Sequence, residues 1–195
     1  MLYLFKCGNE NILIIYKRKK NNFQQILWNL SDNTFKEGEW LQYSQLDVKT
    51  SKISPCGKYY YYSYNRYTRK ECKTYTCVSE LLSFKPILFS DDACGRYYKP
   101  HKFTENSQPI IYTSEGKPEF TFTSLIPNDF NVVYIRSPSI YPGYNKNLMI
   151  KKDDRQMYPT YYNDEIVRGE QIVIKDDIIY RNDEIIYNAN ENDMN

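Results

Sequence analysis

The chain has 195 residues, 26 Lys and Arg against 24 Asp and Glu, and a formal net charge of +2. A length of this order fits one domain with a sizeable core, and so weak a field gives no reason to expect a polyanion, so nucleic acid is not the expected partner. The 21 Tyr stand beside only 7 Gly, 4 Met and 1 His, and abundant Asn, Lys, Ile and Tyr marks AT-rich coding, which would suit a giant DNA virus, an AT-rich protist or a low-GC bacterium.

Two apolar patches open the chain, Leu2 to Phe5 and Ile12 to Tyr16, divided by the polar stretch Gly8 to Asn11. Both are too short for a signal-peptide core or a membrane span, and no basic leader precedes the first, so an unexported, cytoplasmic protein without membrane association is expected. Read as strands, they predict a hairpin across Gly8-Asn9. Gln25 to Leu30 then leads through Ser31-Asp32-Asn33 into Thr34 to Lys36. Asp and Asn suit that turn because their short side chains bond nearby backbone groups and tolerate left-handed dihedrals. Ile53 to Asn65 predicts another hairpin, in which Pro55 presets φ, Gly57 takes a positive φ and the tyrosine run forms a strand.

Leu81 to Phe89 is the one candidate for a short helix, and Pro86 keeps it from being long. Hairpins are expected over Ile110 to Phe122, turning at Ser114-Glu115-Gly116-Lys117, and over Leu148 to Met157, turning at Asp153-Asp154. The apolar triplets Ile172 to Ile174, Ile178 to Tyr180 and Ile185 to Tyr187 are separated by Lys-Asp-Asp and Arg-Asn-Asp-Glu, a spacing that predicts a tight antiparallel meander. No stretch sustains helical periodicity, and no linker or charge block divides the chain. The expected fold is all-β: antiparallel hairpins in a small β-propeller-like or open blade-stack arrangement, with 1–187 one domain and 188–195 a flexible Asn-rich tail.

The stretches WNLSDNTFKEGEW (Trp28 to Trp40) and ISPCGKYYYYSYN (Ile53 to Asn65) resemble a widespread family of uncharacterised, mainly bacterial proteins. That family pairs a tryptophan-led strand with a G-x-W and an S-P-D-G hairpin. The matching residues are Trp28, Leu30, Phe35, Gly38, Trp40, Ser54, Pro55 and Gly57, with a weaker match at Thr76-Cys77-Val78-Ser79. The C-terminal meander resembles the family's closing hairpin. The resemblance implies a hairpin-built fold and no activity or cofactor. Cys56 stands where the family has Asp, which removes a turn acceptor and implies a less rigid hairpin.

Chemistry is sparse. Five cysteines (Cys7, Cys56, Cys72, Cys77 and Cys94) are odd in number and irregularly spaced, so free thiols are expected rather than a disulfide framework. Cys56, Cys72, Cys77, Cys94 and His101 do not match zinc-ligand spacing, so no metal site is expected. Cys94 with His101 is the one Cys and His pair close in sequence and marks an alternative reading as a hydrolase. The pairs Asp91-Asp92, Asp153-Asp154 and Asp176-Asp177 offer a second route to hydrolysis, but all are expected in turns, where neighbouring carboxylates diverge. No phosphate-loop or dinucleotide motif is present, so no cofactor is expected. The basic run Lys17-Arg18-Lys19-Lys20 reads as a solvated loop that also blunts a sheet edge.

Tyrosine is favoured at interfaces because one end is apolar and the other polar. Tyr59, Tyr60, Tyr61 and Tyr62, with Tyr97 and Tyr98, are therefore the candidate partner-binding residues. The sequence points to a non-enzymatic binding module with a protein partner, and a structural or virion-associated role is a further alternative.

Overall fold

The computed structural model describes residues 1–7, 10–18, 21–67, 72–92, 102–113, 121–123, 126–128, 130–136, 164–167 and 170–190. For 91–92, 112–113, 134–136, 164–167 and 170–171 the description covers the backbone only. The fold is all-β and mainly antiparallel.

The N-terminal sheet is a meander of β1 (Leu2–Cys7), β2 (Asn11–Arg18), β3 (Asn22–Asn29) and β4 (Phe35–Leu41), each paired with the next. The hairpin expected between the two apolar patches is β1 with β2, running from Leu2 opposite Tyr16 to Cys7 opposite Asn11. The β3–β4 turn uses the side chains expected of it. Asp32 accepts from the Thr34 N–H at 3.0 Å and from its hydroxyl at 2.7 Å, and Asn33 takes φ 56°. The Thr34 bonds hold the Asp32 carboxyl below its ordinary range.

The central sheet contains β5 (Ser44–Leu46), β6 (Lys52–Ile53), β7 (Tyr59–Tyr67), β8 (Cys72–Glu80), β9 (Pro86–Asp92) and β11 (Thr121–Phe122). Its order is β11-β9-β8-β7-β5, with β6 also on β7. The short helix expected over Leu81 to Phe89 does not form. Leu81 and Leu82 make a turn, and Pro86 starts a strand, where its fixed φ is tolerated. Asp91 and Asp92 close β9 opposite Tyr75 and Thr74 rather than sitting in a turn.

The hairpin expected over Ile110 to Phe122 is also corrected. β10 (Ile110–Thr113) pairs parallel with β12 (Val133–Arg136), while β11 pairs with β9. Local apolar runs identify strands, but longer-range packing chooses their partners. The turn 114–117 and the hairpin expected over Leu148 to Met157 lie outside the described residues.

The C-terminal meander forms as expected, from β13 (Asp164–Val167), β14 (Glu170–Lys175), β15 (Ile178–Arg181) and β16 (Glu184–Asn188). Its two-residue turns, Asp176-Asp177 and Asn182-Asp183, have positive φ at every position, between 51° and 67°. That geometry matches the twist of a tight hairpin and favours Asn and Asp. Asn188 ends β16 and Ala189 is buried.

Three cores join these sheets into layers. One face of the N-terminal sheet, carrying Leu4, Ile14, Ile26 and Trp28, packs on Ile172 and Ile179 of the C-terminal meander. Its other face, with Phe5, Leu13, Ile15 and Phe23, meets Tyr60, Tyr62, Cys77 and Phe84 of the central sheet. The far face of the central sheet, with Tyr59, Tyr61, Val78 and Leu88, covers Ile111 and Phe130. Alternation along each strand makes this possible, since successive side chains point to opposite faces. The described residues thus form an open stack of sheets, with no closed barrel.

Two further contacts hold the layers in register. Gln25, fully buried in β3, accepts from the Leu82 N–H at 2.8 Å and donates to the Ser83 carbonyl at 3.0 Å. Arg181 reaches from β15 to the Leu30 carbonyl at 2.9 Å and to the Asn33 side chain, with its guanidinium over the Trp28 ring.

Candidate functional site

The tyrosine run expected to bind a partner is core. Tyr59, Tyr60, Tyr61 and Tyr62 are no more than 5% exposed, which corrects the expectation of an exposed cluster at these four positions. Tyr60 stacks on Tyr62 at 5.0 Å and meets Phe5 edge-on, and the Tyr62 hydroxyl donates to the Phe84 carbonyl at 3.0 Å. Tyr59 and Tyr61 meet Phe130 and Phe103 on the other side. A strand covered on both faces needs large apolar bodies at every position, and the ring edges of tyrosine supply them. Tyr97, Tyr98, Cys94 and His101 lie outside the described residues, as does Asp153-Asp154.

Exposed aromatic surface lies elsewhere. Tyr43 is 70% exposed and Tyr67 56% exposed. Ser44, next to Tyr43, pairs with Arg66, next to Tyr67, so both rings belong to the end of the central sheet where β5 begins and β7 ends. Asn22 accepts from the Tyr43 N–H at 3.1 Å, and Tyr43 itself holds φ 52°. The Tyr67 hydroxyl donates to Gln45 at 3.0 Å. These two side chains were hidden from sequence reasoning because each is a single tyrosine at a strand end. The one available signal was Tyr43 beside Gln42 and Ser44, a polar break between two strands.

The opposite end of β7 carries the S-P-x-G turn. Gly57 has φ 70°, as expected, and its N–H donates to the Ser54 carbonyl at 2.8 Å. The Ser54 hydroxyl accepts from the Tyr59 N–H at 2.9 Å and from the Lys58 N–H at 3.2 Å, while the Cys56 N–H donates to Ser107 at 2.8 Å. Ser54 and Ser107 thus supply the acceptors that the absent Asp was expected to withdraw, and the turn is fully tied.

The four described cysteines are thiols outside any disulfide: Cys7 and Cys77 buried, Cys72 half-buried and Cys56 exposed. Burial pushes the Cys56 thiol up, but hydrogen bonds from Ser107, Ser54 and the Lys58 and Cys56 N–H groups outweigh it, and the net shift is downward. Burial, with a smaller contribution from Cys56, pushes Cys7 up to about 11, and burial pushes Cys77 up to about 12. Cys72 and Cys77 are five residues apart on β8 and so face opposite sides of it. No three His, Cys, Asp or Glu side chains gather in metal-binding geometry among the described residues. No helix among them is long and apolar enough to cross a membrane.

No family model, curated protein or solved structure matches the chain. The fold and these two sites define an all-β protein of stacked antiparallel sheets. The motif residues of the resemblance have structural work within it: Trp28 fills the first core, Gly38 lies under Leu82, and Ser54 and Gly57 shape the turn.

Proposed function

We propose that the chain is a non-enzymatic binding module that captures a protein partner through the sheet end carrying Tyr43 and Tyr67. The observation that supports this reading is their exposure, the highest of any aromatic ring among the described side chains. Both faces of the N-terminal and central sheets are consumed by cores, which leaves loop ends and strand ends for contact. Aromatic side chains held on a rigid scaffold lose little freedom on binding and are enriched among residues that dominate interfaces.

The test is affinity capture with the double variant Tyr43→Ser/Tyr67→Ser beside the wild-type chain. Loss of specific capture at unchanged unfolding midpoint supports the proposal. Capture equal to wild type refutes it.

A further inference from the structure

We propose that Cys56 and Cys7 form a hydroperoxide-responsive dithiol, in which Cys56 is oxidised at the surface and Cys7 resolves it into a disulfide joining the β6–β7 turn to the end of β1. The geometry brings a β1 thiol against the turn that carries a second one. Cys56 is an exposed residue whose sulfur lies 3.4 Å from the Ser54 hydroxyl and whose N–H is fixed by Ser107. The Cys7 thiol is buried at the last residue of β1 and donates to the carbonyl of Gly57, the residue that follows Cys56, at 3.3 Å. The S-P-x-G turn therefore carries one exposed cysteine and contacts the buried thiol of the other through the Gly57 carbonyl.

The environments divide the labour. The attacking species in thiol oxidation is the thiolate, and reactivity follows thiolate character and exposure. Hydrogen bonding favours the Cys56 thiolate despite partial burial, whereas burial keeps Cys7 protonated, at about 11. Cys56 is thus the group that meets an oxidant first. Its thiolate attacks the terminal oxygen of a hydroperoxide: an S–O bond forms, the O–O bond breaks, and the departing alkoxide or hydroxide takes a proton from water. Sulfur is oxidised by two electrons and the peroxide reduced by two. Cys7 sulfur then attacks the sulfenic sulfur of Cys56, the S–OH bond breaks, and the hydroxyl leaves as water with the Cys7 proton. Cys72 and Cys77 do not enter this sequence, because they lie on β8 and Cys77 is sealed in the core.

Treating the full chain with hydrogen peroxide in the presence and absence of a 1,3-dione trap, followed by peptide mass analysis, tests this directly. Wild type should yield a Cys7–Cys56 linked peptide that reductant cleaves. Cys7→Ser should instead accumulate the dione adduct on Cys56, and Cys56→Ser should leave Cys7 unoxidised. Cys72, half-buried in the same chain, serves as the internal reference. Oxidation of Cys56 no faster than that of Cys72 overturns the proposal, and so does a wild-type chain that collects the adduct on Cys56 without forming the link. Circular dichroism of each variant before oxidation establishes that the compared chains are folded.

Discussion

Gly38 and Leu82 stand so close that a Cβ on Gly38 would lie 2.6 Å from the Leu82 carbonyl oxygen and 2.7 Å from its Cα. The neighbour is backbone, and it is held by hydrogen bonds on both its N–H and its carbonyl. The Leu82 N–H is bound by Gln25, the Leu82 carbonyl accepts from the Glu39 N–H at 2.8 Å, and Leu82 takes φ 67°. A branched side chain rarely adopts that dihedral, so the surrounding bonds must over-determine it. Gly38→Ala is expected to lower stability by about 1–3 kcal/mol, the range for overpacking a filled interior. The measurement is the urea midpoint at constant slope, and an unchanged midpoint would show that the turn yields freely.

Gln25 satisfies two backbone groups of the same turn from a fully buried position. Gln25→Leu keeps much of the volume but leaves the Leu82 N–H without its acceptor, at a cost of roughly 1–3 kcal/mol, while the Ser83 carbonyl keeps its bond from the Ser79 hydroxyl at 2.7 Å. Gln25→Glu should destabilise more at neutral pH than at mildly acidic pH, because protonation removes the buried charge and restores a donor toward Ser83. Chemical denaturation at the two pH values checks the order.

Glu39 binds the Lys85 ammonium at 2.9 Å, the Ser83 hydroxyl at 3.0 Å and the Phe84 N–H at 3.1 Å. Partial burial pushes its carboxyl up, but those bonds win and hold it below the ordinary range. A depressed carboxyl contributes stability that is fully present above its unfolded pKa, about 4.3 for Glu, and is lost as pH falls through the lower folded value. Wild type should therefore lose stability faster than Glu39→Gln as pH drops below about 4.3. Parallel acid titrations by thermal unfolding measure the difference, and identical slopes would contradict it.

Much of the fold is legible in the sequence because its turns are local. Asp176-Asp177 and Asn182-Asp183 fix two tight hairpins through side chains that tolerate positive φ. Gly57 does the same for the S-P-x-G turn. Strand partners separated by long connections are not legible in this way. Thr121 and Phe122 read as the return of a hairpin from Ile110, yet they pair with Phe89 and Leu88. The tyrosine run was misleading for a related reason. Alternation places its rings on two faces, but only the layers on either side decide whether a face is exposed, and here both are covered. Asp91 and Asp92 resemble turn residues and instead end a strand, where register with Thr74 and Tyr75 prevails.

Arg181 joins the C-terminal meander to the N-terminal sheet through Leu30, Asn33 and the Trp28 ring. Arg181→Ala is expected to raise hydrogen exchange in β14 to β16 while leaving the central sheet protected. Arg181→Lys should restore little of the protection, since an ammonium lacks the planar fork that spans two acceptors and stacks on a ring. Exchange followed by peptide mass analysis reads both variants.

Tyrosine nitration at low reagent excess, quantified residue by residue, is the most direct check on the division between buried rings and an exposed contact end. Tyr43 and Tyr67 should be modified first in the folded chain, while Tyr59, Tyr60, Tyr61 and Tyr62 stay unmodified until denaturant is added. Early nitration of Tyr60 or Tyr62 in the folded chain, or protection of Tyr43 and Tyr67, would contradict the layered account and the binding end it leaves open.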